Sequence, residues 1–252
     1  MASGELSPED AATMLDDRER DARSEAAAPP EPVTVDGVRR VRISGRATRV
    51  TVTGDPAVAT AAVEGPHTMS EQGDELVIDC GLSLSPTWSD EPEHQFALAG
   101  ARLRRPVLAG IPGLDAPLGV RVRVNPALPL SVDVVAGSTL VEHVDAPIEC
   151  DVSAGSLRLR HVRGPLVGTV AAGSLVADAE LTEGESKLSC EMGSLLVRLA
   201  PESDVRVRAS ANLGRAHVRA GERVGEGEWT MGSGTALLTV SASLGSVTVL
   251  EA

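Results

Sequence analysis

The chain has 252 residues and a net charge of −13, from 23 Lys and Arg against 36 Asp and Glu. That balance speaks against a nucleic-acid surface, which needs a basic footprint, and against docking on an anionic membrane. Tyr is absent and there are one Phe and two Trp, so aromatic platforms for base stacking are not expected either.

The chain opens Met-Ala-Ser-Gly-Glu, with no basic start and no apolar leader, and it has no apolar run of about eighteen residues. The expectation is a cytoplasmic protein with no direct membrane insertion. Cys80, Cys150 and Cys190 stand at no metal-ligand spacing and suit reduced thiols.

Residues 5 to 27 read as a short N-terminal α-helix. Ser7 is a good N-cap, Pro8 takes the first helical position, and Glu9 and Asp10 sit where the helix dipole favours acids. The apolar stripe of Leu6, Ala11, Met14, Leu15 and Ala22 is thin, so this helix needs something to dock on. Pro29, Pro30 and Pro32 form a stiff linker that ends a segment covering residues 1–32.

From residue 33 the hydrophobic period changes to two. Val38, Val41 and Ile43, then Val50 and Val52, then Leu76 to Ile78, read as strands, with Gly45, Gly54 and Asp55-Pro56 as turn signals. Residues 33–127 form a β-rich opening section, interrupted by an irregular stretch at 83–115 that holds Trp88, Phe96 and several Pro and Gly.

Residues 128–252 form a Gly-punctuated repeat section. Ala136-Gly137-Ser138 returns as Ala154-Gly155-Ser156 and Ala172-Gly173-Ser174, eighteen residues apart each time, with looser copies around Gly193, Gly214 and Gly245. A fixed period signals a stacked repeat architecture. Four columns are almost wholly apolar when each glycine is the origin. Five before it stand Val132, Cys150, Gly168, Leu188, Ala209 and Val240, and three before it Val134, Val152, Val170, Cys190, Ala211 and Ala242. Two after it stand Thr139, Leu157, Leu175, Leu195, Ala216 and Val247, and four after it Val141, Leu159, Ala177, Val197, Val218 and Val249.

The positions three before and two after the glycine both belong to the apolar set, yet they differ by an odd number. A straight strand would place them on opposite faces. The chain must therefore bend at Gly137, Gly155, Gly173, Gly193, Gly214 and Gly245, where a missing Cβ permits it. Five after the glycine, Glu142, Arg160, Asp178 and Arg198 alternate in sign and predict a charge ladder. The last copies, spaced by 20, 21 and 31, read as atypical terminal repeats. The fold class expected is all-β: a β-solenoid or β-helix-like stack of 18–21-residue coils behind the N-terminal helix.

The runs around Gly137, Gly155 and Gly173, with Val41-Arg-Ile-Ser-Gly and Val50-Thr-Val-Thr-Gly-Asp, resemble the bacterial β-strand-repeat family labelled "putative adhesin". The resemblance spans roughly residues 33 to 250 and implies a solenoid-like stack with no established catalytic residues. The C-terminal Val-Ser-Ala-Ser-Leu-Gly-Ser-Val-Thr-Val is also similar to the β-domain of cell-envelope stress regulators.

Candidate chemistry is sparse. His143 and His161 each stand six after their glycine, so stacked coils would place one above the other as a candidate metal pair, though no third ligand recurs in that column. Ser138, Ser156 and Ser174 recur once per coil, as corner residues do and a nucleophile does not. Gly232-Ser-Gly-Thr lacks the lysine of a phosphate loop. The expectation is a non-enzymatic scaffold with no catalytic residue and no cofactor, acting through a protein partner or self-association. The alternative is a ligand- or metal-sensing module linked to cell-envelope stress, with residues 83–115 as its lid and the histidine pair or Cys80 as contacts.

Overall fold

Alternation of Val, Leu and Ile with Arg, Thr, Ser and Asp makes a strand buried on one face, and such strands dominate here. The computed structural model describes residues 37–80 and 119–252, with the backbone of a hairpin at 95–98 and 101–104. The helix expected over 5–27, its linker and most of 83–115 lie outside the described residues. Among the described residues every helix or strand element is a strand.

The opening strands are β1 (Arg40–Gly45), β2 (Thr48–Gly54), β3 (Ala61–Glu64), β4 (Thr68–Gln72) and β5 (Glu75–Asp79). Within the stretch expected to be irregular, β6 (Gln95–Leu98) and β7 (Ala101–Arg104) form their own antiparallel hairpin. Next come β8 (Gly119–Val124) and five long strands: β9 (Leu130–Glu142), β10 (Ile148–Arg163), β11 (Leu166–Glu180), β12 (Glu185–Leu199) and β13 (Val205–Arg219). The short β14 (Glu222–Gly225) and β15 (Glu228–Met231) precede the final long strand, β16 (Ala236–Glu251).

Apart from the hairpin β6–β7, these strands make one 14-stranded sheet in which most pairs are parallel. The long strands pair in register through their glycines: Gly137 with Gly155, Gly155 with Gly173, Gly173 with Gly193, Gly193 with Gly245, and Gly245 with Gly214. Each long strand is thus a rung with one leg before the glycine and one after it. The paired ladder skips the residue two before each glycine: Val135, Ser153, Ala171, Glu191, Asn212 and Ser243. The side-chain alternation changes parity across this break.

The four apolar columns face inward. In the rungs of β9, β10, β11, β12 and β16 every residue of all four columns is buried. Leu157, Leu175 and Leu195 stack at 0–1 % exposure, so three successive rungs supply a large aliphatic side chain to the same column. Burying one such side chain stabilises the fold by roughly 1.5–3 kcal/mol.

Sequence order and spatial order part at the C-terminal end. Gly245 belongs to the last copy in the chain, yet β16 lies between β12 and β13. The wide spacing from Gly214 to Gly245 holds the hairpin β14–β15, which folds back so that β15 pairs antiparallel with Val205–Arg208 of β13. The terminal rung is therefore β13. At the other end, β1 pairs with the first leg of β9 and β2 with the second, so the opening strands continue the same sheet.

Candidate functional site

The glycine column is the most constrained feature of the sheet. The six corner glycines have φ between +134° and +158°, a region L side chains rarely adopt. A Cβ on Gly155 would overlap the carbonyl oxygen of Gly137, and a Cβ on Gly173 would overlap that of Gly155. The relation repeats for Gly193, Gly245 and Gly214, while Gly137 itself sits over the carbonyl of Thr48. Each carbonyl occupies the space a side chain of the next rung would need. Ser138, Ser156 and Ser174 are partly exposed beside this column, and Ser138 Oγ accepts a hydrogen bond from Arg49 Nε at 3.3 Å.

His143 and His161 do stack. Their ring centroids are 5.1 Å apart and the ring planes lie within 8° of each other. Both residues are left-handed, at φ 58° and 48°, which costs about 1–2 kcal/mol for a residue with a Cβ. His161 sits in a bulge: the β10–β11 register shifts between Leu159 and Val162, where β10 carries an extra residue. Column position six is then Ala179 in the next rung, and the imidazole stack ends. A groove of about 820 Å³ runs past the two rings and is lined also by Pro56, Pro126, Asp145 and Ala200.

The rest of the groove is held by ion pairs. Arg163 Nε lies 2.8 Å from Glu180 and Arg198 Nη1 lies 2.9 Å from Asp178. With Arg160–Glu142 at 3.3 Å, two links of the expected charge ladder are in place, and Arg160 falls in the bulge, out of register with Asp178. The ring geometry does not suit one shared metal. Tetrahedral zinc with Zn–N near 2.0–2.1 Å needs two nitrogens about 3.3 Å apart with converging lone pairs. Parallel rings 5.1 Å apart direct theirs side by side. No group of three or more His, Cys, Asp or Glu among the described residues could hold a metal ion.

No family model matches the chain, and no curated protein matches it. Among solved structures, one described as a putative cell adhesion protein from Clostridium sporogenes is similar at a TM-score of 0.47 and 10 % identity. The match covers 88 % of this chain and 97 % of that one. No helix of the described residues is long and apolar enough to cross a membrane.

The three thiols are buried and free. Burial, aided by Asp79, pushes the Cys80 thiol up to about 12, and burial with Glu149 and Asp151 does the same to Cys150. Burial also raises Cys190, with Glu191 adding to it. A thiol so raised is not ionised at neutral pH and is a poor nucleophile.

One polar cluster escaped the sequence reading. The Asp204 carboxylate accepts hydrogen bonds from Ser233 Oγ at 2.7 Å, Thr235 Oγ1 at 2.9 Å and the backbone N–H groups of Gly234 and Thr235. These bonds, the Ser233 bond foremost, hold the carboxyl down at about 2. Gly232-Ser-Gly-Thr therefore clasps a carboxylate of its own chain at the entry to β16. Its small, hydroxyl-rich composition was the only signal, and the acid lies about thirty residues away.

Proposed function

We propose that this chain is a non-enzymatic scaffold of the β-repeat, adhesin-like type, a solenoid-like stack that presents fixed columns of side chains to a protein partner or to another copy. The glycine register carries this reading. Six rungs are locked so that each glycine sits over a carbonyl of the strand beside it, and the outward columns stay in register along the stack apart from the bulge at His161. Outward side chains repeat at about 4.8 Å, the spacing of paired strands, which suits the recognition of an extended surface.

Light scattering coupled to size-exclusion, together with cross-linking of the whole chain, tests it. The expected result is an assembly or a specific protein complex. A chain that stays monomeric at high concentration, and whose melting temperature instead rises with a micromolar metal or metabolite, is a sensor and not a scaffold. The groove beside His143 and His161 is the observation that favours this second reading. Zinc or nickel calorimetry addresses it directly, and the parallel ring geometry leads us to expect no micromolar binding.

A further inference from the structure

An unpaired sheet edge invites pairing with another chain, so its protection is a design question. The legs before the glycine end on antiparallel β4 at one side and on the hairpin β15–β14 at the other. The legs after the glycine run from β13 through β16, β12, β11, β10, β9, β2 and β8 to antiparallel β3. Three of the four ends thus carry an antiparallel strand. The fourth, the second leg of β13, is paired with β16 on one side and with no described strand on the other.

Three properties coincide there. Ala216 is exposed and Val218 half-buried, whereas their equivalents in the other five long rungs are buried, so the inward face lacks its next layer. Leu213 is 70 % exposed and continues a stripe with Leu244 and Met192 of the neighbouring rungs. The outward face carries Arg215, His217 and Arg219 without an acid, on a chain whose net charge is −13.

We propose that the second leg of β13 is a strand-docking edge for an extended segment of another protein in which apolar and acidic residues alternate. This rests on the scaffold reading and names its partner chemistry. The apolar residues would cover Ala216 and Val218, the acids would meet Arg215, His217 and Arg219, and main-chain hydrogen bonds would supply affinity. Charge disfavours a second copy of the same edge. Antiparallel pairing of two β13 edges about His217 sets Arg215 opposite Arg219, and like charges directly opposite destabilise a pair. The corner adds a rule: a parallel strand that follows β13 round its bend needs glycine opposite Gly214, as every rung beneath it does.

The test uses the whole chain and a fluorescein-labelled peptide alternating Val and Glu, with a Val and Lys peptide as control. Anisotropy is expected to show saturable binding of the Glu peptide alone, weakened by salt and weakened about tenfold by Arg215→Glu with Arg219→Glu. Both positions are exposed, and circular dichroism checks that the variant folds. Hydrogen exchange is expected to show protection of amides within residues 210–219 on binding. Equal binding of the Lys peptide, or an unchanged double variant, overturns the proposal. Protection on another face overturns the edge assignment and leaves the scaffold reading standing. Self-association strengthened by the double variant assigns the edge to a second copy and overturns the partner class. A small-molecule thermal-shift hit on a chain that binds no strand removes both.

Discussion

At Gly155 the backbone holds φ +134° and the site of a Cβ coincides with a carbonyl of the rung below, so conformation and space forbid a side chain together. Gly155→Ala should lower stability by about 3 kcal/mol or more in urea unfolding, and Gly155→Val should not fold. A wild-type midpoint for the alanine variant would refute the corner. Two acids offer tests of opposite sign. Asp204 has a folded pKa of about 2 against an ordinary 3.8, so its clasp stabilises above the ordinary value and fades as pH falls from there toward 2. Asp204→Asn should melt lower than wild type at pH 7, and the gap should close by pH 2. Asp151 is raised instead, by burial first and then by Asp133, Glu149 and Glu191. Its charged form opposes folding above the carboxylate range, so Asp151→Asn should melt higher than wild type at pH 7 and lose that advantage in acid.

Within one long strand the two faces differ in energetic weight. Leu175 of β11 is fully buried between Leu157 and Leu195 of the adjoining rungs. Leu175→Ala should cost about 2–5 kcal/mol, through lost transfer energy and an aliphatic void in the column. Arg198, on the outward face of β12, meets Asp178 in an exposed pair, and Arg198→Ala should cost at most about 1 kcal/mol. Denaturant midpoints of the two variants check that order; comparable losses would mean that the charge ladder carries the stack. Strands β9 to β12 were legible because their period, glycine and alternation agree. The short β3 and β4 were not, since residues 61–63 are buried at three successive positions and Thr68–Gln72 is exposed throughout, so neither has an apolar alternation to read. The histidine stack was legible from spacing alone, because equal offsets in registered rungs bring side chains together. The bulge that ends the stack after His161 is a pairing event and has no sequence mark.

Across the whole molecule, the position of β16 between β12 and β13 has a mechanical consequence. Removing residues 236–252 withdraws an interior rung, and β13 loses its long parallel partner with it. Hydrogen exchange of such a truncation should show lost protection over β13 and over the face of β12 that β16 covers, with β9 and β10 protected as before. Protection retained across β13 would place that rung elsewhere. The amino-acid pattern by itself determined the rung: which residues face inward, where the chain bends, and why glycine stands at the bend, because these follow from alternation and the size of a side chain. The order of the rungs, the clasp on Asp204 and the second leg of β13, beyond which no described strand pairs, were decided by tertiary structure alone. Strand pairing between segments far apart in the chain is not specified by alternation within any one of them, and the glycine register shared by the rungs lets the last strand fit between two earlier ones as well as beyond them.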